Sequence, residues 1–245
     1  MATRLALLAL CLLVLLPLYW IYKPPNLLIK YLQHGYPEVL FHIPTTQKLI
    51  ALTIDDAPSE FTLPILDLLR EHGAKATFFT IGSQIPGRED VLRQILRAGS
   101  EIGNHAMHDE PSINLSSQVL KDEILRVDEV INEIYASVNM TRSSSQRYFR
   151  PGSGIFSQRI LDLAKGLGYR TVLGSIYPHD PFVKLWRVNA WNILSGVQPG
   201  AVVICHDRRG WTMPMLQRVV PEVVRRGYRV VTVSELLAVQ NEGQT

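Results

Sequence analysis

The sequence predicts an α/β protein built on a parallel sheet, open or closed into a barrel. Three observations carry that prediction. Apolar strand-like runs alternate with helix-like patterns from about residue 49 onward. Glycines 73, 99, 168 and 227 fall where helices of such units end. The chemically reactive residues follow the strand-like runs, where parallel α/β folds gather their chemistry.

The first strand is the apolar run 49–54, and the pattern 63–72 after it is helical and stopped by Gly73. A second strand, 76–81, precedes a helix at 89–98 that ends before Gly99. The short strand 101–103 leads to the longest helix, 117–135, whose apolar residues recur at helical spacing. Strand 148–150 precedes helix 157–167, capped by Gly168. Strand 171–173 precedes helix 184–194. The fully apolar strand 201–205 opens after Pro199-Gly200, and helix 214–226 ends at Gly227. Strand 229–233 and a short helix, 234–239, finish the chain.

With 245 residues, one sizeable core and one domain are expected. The net charge of +3 is small and the basic residues are scattered, with Arg208-Arg209 and Arg225-Arg226 as short pairs on a solvated face, which argues against a nucleic-acid partner. Two cysteines, Cys11 and Cys205, make no disulfide framework and read as packing residues. Residues 5–22 are apolar, and at 1.5 Å per residue they approach the roughly 30 Å bilayer core. The segment lacks a small-x-small cleavage site and ends in Tyr19-Trp20-Ile21-Tyr22, which suits a membrane interface. It reads as an uncleaved signal-anchor over 1–22, with secretion after signal cleavage as the alternative. The expected division continues with a proline-bearing stalk at 23–47, a domain at 48–240 and a tail at 241–245. Sequons at Asn114 and Asn139 fit a single-pass protein whose domain is lumenal or extracellular, a glycoprotein.

Thr53-Ile54-Asp55-Asp56-Ala57-Pro58 delivers two carboxylates at a strand end. Neighbouring strand residues face opposite ways, so both enter one site only if the strand stops there, and Pro58 is a reason for it to stop. Such a pair suits one carboxylate on a metal ion and one moving protons; taken alone, it more often marks a capped turn. Gly103-Asn104-His105-Ala106-Met107-His108-Asp109 adds nitrogen and oxygen donors after the third strand. Phe149-Arg150-Pro151-Gly152-Ser153-Gly154 offers a fixed cation and a turn able to aim a backbone N–H. His206 follows the strand 201–205, and Asp180 in Tyr177-Pro178-His179-Asp180 is a carboxylate partner for its ring. His34, His42, His72 and His179 read as structural or exposed.

In order, these motifs resemble the polysaccharide deacetylases of the NodB-homology family, carbohydrate esterase family 4, over about residues 48–240. Thr53–Pro58 resembles the family's Thr-Phe-Asp-Asp-Gly-Pro, His105 the first member of its His-x-x-x-His pair, and Arg150-Pro151 the start of Arg-Pro-Pro-Tyr-Gly. Val203–Asp207 resembles Val-Leu-Leu-His-Asp, and Asp180 stands where the family has Asp-Trp. The resemblance implies parallel strands closed into a distorted (β/α)7-type barrel. It implies a divalent metal, commonly zinc, on Asp56 and His105, with cobalt, manganese or iron as other possibilities. It makes Asp55 the general base, held in place and charged by Arg150, and His206 the acid that protonates the leaving amine, oriented by Asp180. Ser153 would donate its N–H to the oxyanion, with Pro151 beside it at the substrate.

The sequence departs from the family at the third ligand: Asp109 occupies the position of the second histidine, and His108 lies one residue early. An ungapped match into the next helix favours Asp109, with His108 reaching in through a shifted loop as the alternative. Ala57 replaces a glycine, Ser153 a tyrosine and Pro181 a tryptophan, which implies an altered sugar groove. The expected activity is removal of N-acetyl groups from N-acetylglucosamine-containing polysaccharide, with chitin-like glycan the expected substrate. An O-acetyl esterase on xylan and a degraded glycan-binding module of the same fold are the rivals.

Overall fold

The computed structural model describes residues 15–242 and, ahead of them, residues 4 and 13. Its elements in chain order are α1 (Asn26–Gly35), β1 (Val39–Leu40), β2 (Leu49–Ala57), α2 (Thr62–Glu71), β3 (Thr77–Thr80), α3 (Glu89–Arg97), β4 (Glu101–Asn104) and α4 (Ser117–Ser137). They continue with β5 (Tyr148–Phe149), α5 (Gln158–Gly166), β6 (Arg170–Val172), α6 (Trp186–Gly196), β7 (Val202–His206), α7 (Thr212–Arg225), β8 (Arg229–Val231) and α8 (Val233–Glu242). All the strands pair in parallel, in the order β1-β6-β5-β4-β3-β2-β7, and β8 joins the start of β2 at Leu49–Ala51. Beyond β6, Ile176 bridges Val203 of β7, so the two ends of the sheet meet. The architecture fits a distorted (β/α)7 barrel.

Side-chain alternation along β2 builds the core on both sides. Leu49 and Ala51 join Phe79, Tyr148, Val172 and Val202 in one buried cluster, while Ile50, Leu52 and Ile54 pack with the helix residues Leu69, Ile95, Ile131 and Val219 in another. Continued regularly, the same alternation would separate Asp55 from Asp56. The strand does not stop before them, as the sequence suggested; it runs to Ala57. Instead its register against β3 slips between Ile54 and Ala57, and Asp56 takes a left-handed φ of 64°. This irregularity is what brings both carboxylates to the barrel mouth.

The stretch 23–47 is not a detached stalk. It contains α1, whose Ile29 is buried, and β1, which pairs with β6, and it contributes the buried Phe41 and Ile43. The flanking prolines masked a ten-residue amphipathic helix and a two-residue strand too short to leave a pattern. Most of the membrane-spanning helix expected over 1–22 lies outside the described residues. Residues 15–22 are helical, and among the described residues no helix is long and apolar enough to cross a membrane. Residues 243–245 of the expected tail also lie outside the described residues.

Below the mouth, one buried carboxylate braces the β4 end. Asp128 of α4 accepts from Arg142 at 2.7 Å and, closer still, from Arg147 and the Tyr169 hydroxyl. Tyr169 Oη in turn receives the Asn104 amide at 3.2 Å, and Asn104 Oδ1 accepts the Ala106 N–H at 2.9 Å. Burial opposes ionisation of Asp128, but the Tyr169 hydroxyl and the two guanidiniums outweigh it and lower its carboxyl below the usual range. A depressed carboxyl contributes stability above its unfolded value and loses it as pH falls through the folded one. Asp128→Asn is therefore expected to cost about 2 kcal/mol at neutral pH and to flatten the acid limb of stability, as measured by urea unfolding at several pH values.

Candidate active site

The candidate residues lie toward the C-terminal ends of the strands, most of them around a cavity of about 510 Å³. Asp55, Asp56, His105, Asp109, Arg150, Ser153 and His206 line it, with Phe41, Tyr177, Pro181 and Phe182 as apolar walls. Five residues around this mouth, Asp56, Ala106, Ser153, His179 and Arg208, hold left-handed φ values near 60° without being glycine. Strain of this kind, about 1–3 kcal/mol each, persists where the surroundings fix it and clusters at functional sites.

Two buried pairs dominate. Arg150, at the end of β5, is 1% exposed and donates Nη1 to Asp55 Oδ1. Its Nε and Nη2 donate to the carbonyls of Val172 and Leu173 at 3.0 and 2.8 Å, and Phe79 stacks beneath it at 4.1 Å. The guanidinium is thus fixed, and it leaves Asp55 Oδ2 facing His206 Nε2 at 3.8 Å. His206 is held from the other side: Asp180 takes its Nδ1 at 2.9 Å and its backbone N–H at 2.7 Å. Burial works against the charged imidazole, but the Asp180 carboxylate, with Asp55 and Asp56 farther off, raises His206 above its ordinary value. Asp180 is anchored in its turn, because its carbonyl accepts the Trp211 ring N–H at 2.8 Å.

His105 gives Nδ1 to the Arg150 carbonyl at 2.7 Å, which turns Nε2 toward Asp56 Oδ1 at 3.8 Å. An outer hydrogen bond of this kind orients a histidine that binds metal. Burial, with the Asp109 and Asp55 carboxylates adding and His105 opposing, pushes the Asp56 carboxyl above the usual range.

Comparison with known proteins places the chain among relatives. Residues 42–172, more than half of it, match the family described as polysaccharide deacetylase. The chain belongs to the polysaccharide deacetylase family. Over 214 residues it is 35% identical to a peptidoglycan-N-acetylglucosamine deacetylase of Bacillus cereus, covering 83% of this chain and 93% of that one. It is 27% identical over 205 residues to a chitooligosaccharide deacetylase of Bradyrhizobium, covering 76% and 90%. Among solved structures it is similar to a carbohydrate esterase family 4 pseudoenzyme of Bacillus anthracis, at 26% identity and a TM-score of 0.71, covering 81% and 68%. The chain is thus a hydrolase of the deacetylase type.

In this family member the expected third ligand is not gathered in. Among the described residues no group of three His, Cys, Asp or Glu side chains stands close enough to hold a metal ion. Asp109 sits on a half-exposed loop and faces Arg208 Nη1 at 3.7 Å. His108 is exposed and does not line the cavity. Asp56 and the free Nε2 of His105 do fit a divalent ion as a two-donor grip. Pro151 is buried and does not line the cavity either, so it sets the turn and leaves contact to Ser153 and Gly154. The missing glycine at Ala57 costs nothing, since the left-handed residue is Asp56. In place of the two lost aromatics, Phe41, Tyr177 and Phe182 line the cavity.

Sequence reasoning missed one residue that reaches the site. Arg209 Nη2 donates to Asp56 Oδ2 at 3.1 Å. The signal lay in the pair Arg208-Arg209 directly after the His206-Asp207 strand end, which read as surface charge. Asp207 itself is structural: the hydroxyls of Ser59, at 2.6 Å, and Thr62 tie it to the turn before α2.

Proposed function

We propose that this chain is a metal-dependent N-deacetylase of N-acetylglucosamine-containing polysaccharide. The observation that carries the proposal is the facing of Asp55 and His206 across 3.8 Å, each locked from behind by its own buried partner. In hydrolysis of an acetamide, water adds to the carbonyl carbon and the C–N bond breaks, giving acetate and an amine. Asp55 Oδ2 takes the water's proton, while Arg150 keeps Oδ1 occupied and the carboxylate fixed. His206, whose affinity for a proton Asp180 raises, gives its proton to the departing nitrogen. The Ser153 N–H, at the cavity edge, supports the oxyanion; one such donor is worth about 10²–10³ in rate. A divalent ion on Asp56 and His105, zinc above all, would polarise the attacking water and the acyl oxygen.

The substrate reading rests on the names of the relatives, which act on peptidoglycan and chitooligosaccharides. The shared unit is an N-acetylated glucosamine in a β-linked glycan, and chitin-like polymer remains within that class. The exposed apolar residues Leu15, Leu16, Leu18 and Ile21 support membrane attachment through the N-terminal segment, with the domain outside the cytosol. The ion pair on Asp56 favours a second reading, a catalytically silent glycan-binding module of the same fold.

Acetate release from peptidoglycan fragments, chitin oligomers and acetylated xylan decides between these readings. Release from the first two, abolished by a chelator and by His105→Ala, is expected; glycan binding without release from any of the three would leave the silent module.

A further inference from the structure

We propose that Arg209 is the resident counter-ion of Asp56, and that a divalent cation loads only by displacing its guanidinium. The inference rests on the reading of Asp56 and His105 as metal ligands. It starts from the turn that joins β7 to α7. Arg208 takes a left-handed φ of 59°, so the two adjacent arginines leave the chain in different directions. Arg208 reaches the half-exposed Asp109 at 3.7 Å, and Arg209 enters the cavity to Asp56 at 3.1 Å.

The turn is built to hold that arrangement. Asp207 Oδ1 accepts the Arg208 N–H at 2.8 Å, the Arg209 carbonyl accepts the Thr212 N–H at 2.9 Å, and Trp211 is pinned to the Asp180 carbonyl. Arg209 is therefore delivered to Asp56 by the backbone.

The charges in the cavity give the pairing its consequence. Asp55 is neutralised by Arg150, which cannot leave because two carbonyls and the Phe79 ring fix it. Asp56, 2% exposed, is neutralised by Arg209. A divalent ion arriving at a pair already balanced meets a guanidinium on the very carboxylate it needs, and two like charges in contact inside a buried site repel strongly. The Arg209 side chain is 21% exposed, so it has a way out to water that Arg150 lacks. Metal and Arg209 thus compete for one carboxylate, and the affinity of the site is set by the difference.

Calorimetric titration of the metal-free full-length protein with Zn²⁺ and Mn²⁺ tests this. Arg209→Gln is expected to bind about tenfold tighter than the parent, while Arg208→Gln, which removes the same charge from a half-exposed pair, changes affinity less than about threefold. Metal-free Arg209→Gln should also melt about 2–4 °C lower than the parent, since Asp56 loses its partner, and this deficit should vanish on metal saturation. Equal affinities of parent and Arg209→Gln, with binding intact, overturn the inference. Equal tightening in both arginine variants overturns it as well, because a general field effect would then suffice. Absence of binding in every folded protein overturns the metal reading on which it rests.

Discussion

Replacement of Asp55 by Asn is expected to lower acetate release by about 10²–10⁴-fold, the range that a positioned general base supplies, while zinc binding at Asp56 and His105 survives. The carboxamide keeps the size of the side chain and can still accept from Arg150, but it cannot take the proton of the attacking water. Its effect on the fold is predictable too. Arg150 is 1% exposed and would be left with no carboxylate partner. Removing one member of a buried ion pair commonly costs about 3–5 kcal/mol, and the retained carbonyl bonds to Val172 and Leu173 should hold the loss toward the lower end. Turnover and thermal unfolding measured on the same preparation separate the two effects. Unchanged turnover would show that Asp55 is not the base.

Asp180→Asn is the second large effect, and its signature is a pH profile. The His206 imidazole gains its raised affinity for a proton from Asp180, against the opposing effect of burial. With that carboxylate gone, the strongest opposition to burial is lost and His206 holds its proton less tightly than in the parent. Because the acid must be protonated to serve the leaving amine, the alkaline limb of kcat should move to lower pH. At neutral pH the loss should be about 10²–10³-fold, within the range of general-acid contributions. A leaving group that needs no protonation, such as the nitrophenolate of an activated acetate ester, should recover most of that loss. An unmoved alkaline limb would remove His206 from the role of acid.

Much of this site was legible because strand ends are legible. The apolar runs before Asp55 and His206 mark where parallel strands finish, and a parallel α/β fold brings those finishes together. The pairing of Arg150 with Asp55 joins residues 95 positions apart in the chain, and a resemblance to known motifs pointed to it where local pattern could not. What escaped the sequence was decided by backbone detail. The register slip and left-handed φ at Asp56 leave no compositional trace, so an end to the strand looked necessary where a bulge suffices. Asp109 has the right spacing for a ligand and lines the cavity, yet its carboxylate faces Arg208 from a half-exposed loop. Arg209 looked like half of a surface pair because nothing local shows that the turn points it inward. The stretch 23–47 was misread because a two-residue strand has too few residues for alternation to show.

The arrangement of neighbours around β2 also governs when the enzyme comes into being during synthesis. β3 follows β2 from the ribosome at once, but β7, which lies along Ala51–Asp55, arrives some 150 residues later. β8, clasping Leu49–Ala51, is made later still. Contacts so distant in the chain form slowly. A nascent chain therefore carries its acidic doublet without His206 or its turn, and hydrolytic competence waits until β7 and the turn after it have been made.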